Sequence, residues 1–256
     1  MAHWLTGQLK PCSLRSDRRR LIETVPQTGS TNGDLSARLK AGERIAEGHW
    51  LVADRQSAGR GRQGREWFDG HGNFMGSNIV HLQPGDPPAS SLALLAGLAA
   101  YQAVLPHCSD PASLRLKWPN DLMFAGAKLA GILLEREGDS VIVGIGVNLA
   151  VAPNVPGRET LALSKFGPAP DRDLFASCIA GHFTEELQRW RTYGTQPLIT
   201  RWESAAHPKG TALTVNEQAD GIISGAFDGL LPDGSLRLRL ADGTSRAIHA
   251  GDVMLA

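Results

Sequence analysis

The stretch HWLVADRQSAGRGRQGREWFDGHGNF (residues 49–74) decides how the first half of this chain folds. Its glycines Gly59, Gly61 and Gly64 have the G-x-G-x-x-G spacing of a dinucleotide-binding loop, and a short apolar run precedes them. In that class of site a helix follows the glycines directly, because its N-terminus holds the pyrophosphate. Here residues 66–73 have no helical periodicity and contain two further glycines. The Rossmann interpretation therefore fails on its context.

Three arginines alternate with the glycines of this loop, at Arg60, Arg62 and Arg65. Glycine lets a backbone approach a ligand closely, and guanidinium groups supply permanent charge and planar donors for carboxylate or phosphate. The alternative is an exposed basic turn, where arginine clusters usually lie. The loop alone favours an anion site over a solvated turn.

Composition limits the kind of partner that the chain can attract. The 256 residues are 42% hydrophobic and 20% charged, and 26 basic residues cancel 26 acidic ones, as in ordinary soluble globular proteins. Such a balance gives no general attraction to nucleic acid or to an anionic membrane, so an anion site must be local. The three cysteines lie far apart, which excludes a disulfide framework or a zinc pattern and suits the cytoplasm. The most apolar stretch, residues 92–100, is too short to span a bilayer.

Hydrophobic periodicity predicts an α+β fold in two domains. Strand patterns occupy residues 49–53, 76–82, 113–118, 128–135 and 140–148, and helical patterns occupy residues 32–41, 89–105, 171–190 and 197–206. Short connections between the strands favour antiparallel neighbours, so we expect a mixed, largely antiparallel sheet with the helices packed on one side. Alternating runs with Asp-Gly turns then predict a small β-barrel. The expected division is a tail at residues 1–19, a catalytic domain at 20–206 and a barrel domain at 207–256.

Polar residues stand at the ends of otherwise apolar strands. In KWPND (residues 117–121) the proline stops the ladder, so Asn120 and Asp121 are presented at a strand end. Lys128 begins a buried strand, and a lysine in such a place ordinarily extends its ammonium to solvent. Two glycines inside one strand, Gly144 and Gly146, weaken it unless another group packs against the backbone.

Near the first helix, GSTN (residues 29–32) is explained by helix capping alone. Taken together and in order, however, the polar motifs resemble those of the biotin–protein ligases. The motifs that carry the resemblance are GSTN (residues 29–32), GRGRQGREW (59–67), KWPNDL (117–122), KLAGILLE (128–135) and GIGVN (144–148). The resemblance extends from residue 21 to residue 256. It implies the class II aminoacyl-tRNA-synthetase-like catalytic fold of biotin and lipoate ligases, followed by an SH3-like barrel.

The resemblance also implies a reaction. Biotin is activated by ATP to biotinyl-5′-AMP with release of pyrophosphate, and biotin then passes to a lysine of a biotin carboxyl carrier protein. The arginines have a clear purpose in such a reaction, because the biotin carboxylate and the α-phosphate repel each other unless fixed cations offset their charges. Magnesium is expected to accompany the ATP, with Asp121 as a candidate ligand.

The roles implied for individual residues follow the motifs. Biotin or its adenylate is expected to contact Ser30, Thr31, Asn32, Gln56, Gly59, Arg60, Gly61, Arg62, Lys128 and Gly131. ATP is expected beside Arg65, Trp67, Lys117, Asn120, Asp121 and Asn148. Lys128, Arg62 and Asp121 are the expected catalytic residues, and Asp121 is also a candidate for assisting deprotonation of the acceptor lysine.

Two rival functions remain open at this point. A lipoate–protein ligase or an octanoyltransferase has the same catalytic fold, although the transferase needs a nucleophilic cysteine and no cysteine lies in a motif. A catalytically silent sensor of biotin or nucleotide is the other rival. About twenty residues precede the motifs, too few for a winged helix-turn-helix. We therefore expect no repressor activity. The expected state is a monomer or homodimer that binds neither nucleic acid nor a membrane.

Overall fold

The computed structural model describes residues 21–217 and 221–255, so the tail predicted at residues 1–19 lies outside the described residues. In chain order the elements are β1 (Ile22–Val25), α1 (Thr31–Lys40), β2 (Trp50–Ala53), β3 (Phe74–His81), α2 (Leu92–Val104), β4 (Leu114–Lys117), β5 (Asp121–Phe124), β6 (Ala127–Glu137), β7 (Ser140–Val147), α3 (Arg172–Tyr193), α4 (Thr195–Ala205), β8 (Ala212–Glu217), β9 (Gly221–Leu230), β10 (Leu236–Arg239), β11 (Ser245–Ile248) and β12 (Asp252–Leu255).

The described residues form a large sheet of seven strands in the order β1-β2-β3-β7-β6-β5-β4. Only β1 and β2 pair in parallel, and the other neighbours are antiparallel, which confirms the prediction of a mixed sheet. Strands β1 and β5 were not predicted. Each has four residues, and β5 lies within the segment that the sequence pattern assigns to a connection.

The two faces of the large sheet carry different helices. Helices α2, α3 and α4 pack together on one face, over the main core. Helix α1 lies on the opposite face, where Leu35 packs with Leu51 and Ile79 in a smaller cluster. The prediction that all helices lie on one side is therefore wrong for α1. Every residue of β2 is buried, so this strand has no apolar and polar alternation that could reveal its two covered faces.

Helix α2 is the most apolar of the α-helices in the described part of the chain. Among the described residues, the segment Ala89–His107 is the one long and apolar enough to cross a membrane, and it is longer than the apolar run at residues 92–100. Most of it is buried inside the protein, because α2 contacts α3, α4 and the strands β6 and β7. Its composition is thus that of a central core helix.

The last five strands form a second, antiparallel sheet in the order β11-β10-β9-β8-β12. Its buried side chains, including Phe227 and Leu236, belong to the same continuous core as the large sheet. Polar contacts also attach the second sheet to the preceding part of the chain: the indole Nε1 of Trp118 donates to the carbonyl of Gly234 at 3.0 Å, and Glu203 of α4 accepts from the amide of Leu230 at 2.7 Å. The second sheet is therefore attached beside the turn between β4 and β5.

Candidate active site

A cleft of about 580 Å³ opens beside the N-terminus of α1. It is bounded by α1, the arginine loop (residues 59–67), β3, the turn between β4 and β5, β6, β7, the loop after β7, and β12 of the second sheet. Of the residues expected at the site, those that line the cleft are Ser30, Thr31, Asn32, Gln56, Arg60, Gly61, Arg62, Arg65, Trp67, Lys117, Asn120, Asp121, Lys128, Gly131 and Asn148. Gly59 is the exception. The fold thus brings five separate motifs to one place.

One side of the cleft, here called the neutral wall, consists of Thr31, Asn32, Gln56 and Ser77, all of them buried. The side-chain oxygen of Gln56 accepts from the Thr31 amide at 2.7 Å. The Thr31 hydroxyl lies 2.6 Å from that of Ser77, which donates to Asn32 Oδ1 at 2.5 Å. Ser30 caps α1 by accepting from the Gly33 amide, which confirms the capping interpretation. These four side chains carry no formal charge and are linked by hydrogen bonds, and the side-chain nitrogen of Asn32 also donates to Glu135 at 2.7 Å.

The glycines inside β7 make room for this wall and for an aromatic ring. A Cβ atom at Gly144 would overlap the amide of Asn32, and one at Gly146 would overlap the indole of Trp67. The expectation that other groups pack closely against this strand is therefore confirmed. The same indole lies over Gly131 of β6, where a Cβ would stand 2.9 Å from the ring.

Trp67 is half-buried and lines the cleft. Its indole Nε1 is buried and has no hydrogen-bond partner among the residues that the structure describes. The ammonium of Lys128 lies 5.8 Å from the ring centroid, within the range of a cation–π contact. Gly59 serves this arrangement from outside the cleft, because a Cβ there would stand 2.8 Å from the carbonyl oxygen of Trp67. Gly59 is thus required by the packing of the loop.

The other side of the cleft, here called the charged wall, consists of Lys117, Asp121 and Lys128. Lys117 and Asp121 stand opposite each other in the β4–β5 hairpin, with 3.6 Å between Nζ and Oδ2. Lys128 reaches over from β6 and donates to Asp121 Oδ1 at 2.5 Å. Its side chain is only 16% exposed. Lys128 therefore points into the cleft and does not extend to solvent.

Burial and charge act in opposite directions on Asp121. Burial alone would raise the pKa of its carboxyl group, but Lys128 and Lys117 hold this pKa below its ordinary value. Burial also lowers the pKa of Lys117, an effect that Asp121 opposes. The carboxylate is thus a fixed counter-ion for two ammonium groups. A carboxyl group with a lowered pKa is a weak base at neutral pH, which argues against Asp121 as the group that deprotonates an acceptor lysine.

The same pairing bears on the expected metal ligand. Both oxygens of Asp121 face lysines, and no group of three or more His, Cys, Asp or Glu side chains converges within residues 21–217 and 221–255. Magnesium prefers oxygen ligands in an octahedral arrangement. A single carboxylate already paired with two cations does not fit a metal site held by the protein.

The three loop arginines contact three different elements. Arg62 donates to the side-chain oxygen of Asn120 at 3.1 Å, and burial in the cleft lowers the pKa of its guanidinium. Arg65 forms an ion pair with Asp252 of β12, and Arg60 pairs with Glu135 of β6 at 3.5 Å. The interpretation as a solvated turn therefore fails most clearly for Arg62.

Several residues at or behind the cleft escaped the sequence analysis. Ser77 had a usable indication, because it lies two residues from Met75 and Ile79 on the same face of β3. Other lining residues that were missed include Arg158 and Thr160 in the loop after β7, and Asn216, Asp252, Val253 and Met254 in the second sheet. Their contribution depends on how the two sheets meet, which no local pattern reveals.

Comparison with known proteins identifies the family. The model of the biotin/lipoate A/B protein ligase family matches residues 26–151, the part of the chain that contains all five motifs. The biotin–[acetyl-CoA-carboxylase] ligase of Paracoccus denitrificans is 36% identical over 226 residues, which cover 84% of this chain and 92% of that protein. The chain belongs to the biotin–protein ligase family.

Other members of the biotin–protein ligase family agree with this assignment. The biotin–[acetyl-CoA-carboxylase] ligase of Mycobacterium tuberculosis is 35% identical over 246 residues, covering 92% of this chain and 89% of that protein. Among solved structures, the biotin protein ligase from Aquifex aeolicus in complex with biotin and ATP superposes with a TM-score of 0.80 and 25% identity, covering 92% of this chain and 99% of that one. The likeness to known biotin–protein ligases thus includes both sheets.

Proposed function

We propose that this cleft joins biotin to ATP and then transfers biotin to a lysine of a carrier protein. The protein is an ATP-dependent biotin–protein ligase, and one observation carries the detailed assignment: the neutral wall and the charged wall face the same cleft. Biotin has a neutral cyclic urea at one end and a carboxylate at the other. A ligand of that kind needs hydrogen bonds without charge at one end and cations at the other.

The neutral wall is proposed to bind the ureido ring. Thr31, Asn32, Gln56 and Ser77 are buried and keep donors and acceptors in fixed directions, as recognition of a buried amide-like group requires. Ser30 at the N-terminus of α1 and Gly131 on β6 border the same volume. Arg60 and Gly61 border it from the loop.

The charged wall and Arg62 are proposed to bring the two anions together. A carboxylate oxygen of biotin attacks the α-phosphorus of ATP, and the bond from that phosphorus to pyrophosphate breaks. Lys128 and Arg62 are proposed to offset the repulsion between these groups, and their positive charge acts more strongly because both side chains are partly buried in the cleft. Asp121 is proposed to hold the ammonium group of Lys128 in position.

Transfer is proposed to take place in the same cleft. The amine of the acceptor lysine attacks the carbonyl carbon of biotinyl-5′-AMP, an amide bond forms, and AMP leaves. Arg65, Trp67, Lys117, Asn120 and Asn148 are proposed to surround the nucleotide. Asn148 also holds the loop after β7, because its side-chain nitrogen Nδ2 donates to the carbonyl of Leu161 at 3.1 Å.

The wider setting is also part of the proposal. The names of the relatives from P. denitrificans and M. tuberculosis support acetyl-CoA carboxylase, through its biotin carboxyl carrier protein, as the protein substrate. We propose a division into a catalytic domain at residues 20–206 and an SH3-like barrel at 207–256, supported by the separate antiparallel sheet. A cytoplasmic monomer or homodimer without nucleic-acid partners remains a prediction.

The described cysteines count against an octanoyltransferase. Cys108 lies beyond α2 and Cys178 within α3, and neither lines the cleft. Burial raises the pKa of the Cys108 thiol to about 11, so the nucleophilic thiolate is scarce at neutral pH.

Exchange of labelled pyrophosphate into ATP tests the proposed function. We expect exchange that depends on biotin and is not supported by lipoate or octanoate at equal concentration. Transfer is tested separately, by mass spectrometry of a biotin carboxyl carrier domain after incubation with biotin and ATP. Exchange with lipoate in place of biotin would assign the cleft to the rival ligase, and tight biotin binding without exchange would assign it to a sensor.

A further inference from the structure

Glu135 of β6 stands directly behind the neutral wall. Its carboxylate accepts from the amide nitrogen of Asn32 at 2.7 Å and pairs with Arg60 at 3.5 Å. The Glu135 side chain is 30% exposed, whereas Asn32 is 3% exposed and lines the cleft. One carboxylate thus contacts both the first helix and the arginine loop at the place where they border the cleft.

The carboxylate gives the hydrogen bonds of the wall a direction. An ionised carboxylate can only accept, so it draws the NH₂ group of Asn32 toward itself and turns the amide oxygen toward Ser77. Ser77 has a single hydroxyl proton and uses it to donate to that oxygen. The bond of 2.6 Å between the hydroxyl groups of Thr31 and Ser77 must then take its proton from Thr31.

The direction of this bond determines what Thr31 can offer a ligand. Its one hydroxyl proton is directed to Ser77, so it cannot also be donated to Gln56 Oε1 at 3.1 Å, which already accepts from the Thr31 amide. Toward the cleft the hydroxyl therefore presents lone pairs. A cyclic urea carries N–H donors, and a lone pair is the partner that such a donor needs.

We propose that Glu135 is a positioning residue that sets the hydrogen-bond polarity of the biotin pocket. The inference rests on the proposed function, because it takes the neutral wall as the binding surface for the ureido ring. Glu135 acts through Asn32 and Ser77 on Thr31 and touches no substrate. Without its carboxylate, the amide of Asn32 can turn around, and Ser77 and Thr31 lose their common direction.

The chain offers a matched control two residues away. Glu137 lies on the same face of β6 and also binds α1, by accepting from Ser36 at 2.6 Å and pairing with Lys40 at 2.9 Å. Neither of its partners lines the cleft. Both glutamates thus fasten α1 to the sheet, and only Glu135 reaches residues of the pocket.

The experiment compares Glu135→Ala, Glu135→Gln and Glu137→Ala with the wild-type chain, with biotin affinity measured by calorimetry. We expect Glu135→Ala to raise the Kd for biotin about tenfold, the effect of losing one hydrogen bond of about 1.4 kcal/mol. Glu137→Ala should stay within about twofold of wild type, a change of about 0.4 kcal/mol. Glu135→Gln keeps an oxygen that accepts from Asn32, so it should recover most of the affinity.

The outcomes separate this inference from the proposed function. Equal Kd values for Glu135→Ala and Glu137→Ala would overturn the inference. A Glu135→Gln variant that binds as weakly as Glu135→Ala would also overturn it, because the affinity would then depend on the ion pair with Arg60 and not on the hydrogen bond with Asn32. If Glu135→Ala does not fold, Glu135→Met takes its place in the comparison, because it also lacks an acceptor for Asn32 but keeps the bulk of the side chain. Pyrophosphate exchange is measured in parallel on the wild type. If the wild type binds biotin but shows no exchange, the ligase function is contradicted and the comparison of Kd values still tests the role of Glu135. If the wild type does not bind biotin, both the proposed function and this inference are contradicted.

Discussion

The two walls of the cleft bury polar groups in opposite ways. In the neutral wall, uncharged side chains such as Asn32 and Ser77 satisfy one another's hydrogen bonds. In the charged wall, two lysines surround one carboxylate, so the wall keeps excess positive charge on side chains that are only 10–16% exposed. Fixed hydrogen bonds recognise a ground state, whereas fixed cations act most strongly where charge moves during a reaction. Changes in the neutral wall should therefore alter affinity, and changes in the charged wall should alter rate.

The largest effect is expected for Lys128→Met. It removes a cation from the centre of the charged wall, and we expect the rate of adenylate formation to fall about 100-fold, or about 3 kcal/mol, as for loss of one oxyanion donor. Biotin affinity should change far less. Single-turnover formation of biotinyl-5′-AMP, measured beside the calorimetric Kd for biotin, checks both expectations. A near-normal rate would reduce Lys128 to a structural lysine.

The same variant also affects stability, because Asp121 then keeps only its longer contact with Lys117. Breaking a buried pair costs about 3 kcal/mol or more when one charge is left alone, and Lys117 should reduce that cost. The double variant Asp121→Asn with Lys128→Met should regain stability without regaining rate. Urea unfolding of both variants separates a folding defect from a catalytic one.

A smaller effect is expected for Arg62→Lys. Lysine keeps the charge but loses the planar fork that can bind carboxylate or phosphate with two parallel bonds. We expect biotinyl-5′-AMP to dissociate about tenfold faster, a loss of about 1.4 kcal/mol. The dissociation rate is measured by chasing bound labelled adenylate with unlabelled adenylate. An unchanged rate would show that Arg62 contributes only its charge.

Thr31→Val tests the neutral wall with a change of similar size but of another kind. It removes a hydroxyl without changing the shape of the side chain, and we expect the KM for biotin to rise about tenfold, a loss of about 1.4 kcal/mol. The value of kcat should remain nearly constant, as for loss of uniform binding. The control is Thr24→Val in the exposed part of β1. A fall in kcat as large as that of Lys128→Met would erase the distinction between the walls.

The smallest effect concerns acid stability. Because the pKa of Asp121 is lowered in the folded protein, its contribution is fully present above the ordinary carboxyl pKa of about 3.9 and is lost as pH falls through the lowered value. The difference in unfolding free energy between wild type and Asp121→Asn should be constant from pH 7 to about 5 and shrink below about pH 4. Thr31→Val should show no such trend. Urea unfolding at several pH values measures it.

The two walls also differ in how much of each could be predicted from the sequence. The motifs of the charged wall were predictable, because Lys117, Asp121 and Lys128 stand at strand ends where an apolar pattern is interrupted. Their mutual pairing was not, since it depends on the four-residue strand β5, too short to give a periodic pattern. In the neutral wall, Thr31 and Asn32 were predicted from their motif, whereas the hydrogen bonds that Ser77 and Glu135 make with Asn32 become evident only once α1 is placed on its face of the sheet.

The core that runs without interruption from the large sheet into the second one has a thermodynamic consequence. Phe227 and Leu236 share that core with the strands below the cleft, and the indole of Trp118 links the β4–β5 turn to Gly234. If either sheet unfolded alone, it would expose the apolar core that it shares with the other sheet. Heating should therefore give one calorimetric peak whose van't Hoff and calorimetric enthalpies agree. The protein then loses its reaction cleft and its C-terminal sheet at the same temperature, and no intermediate retains an ordered cleft.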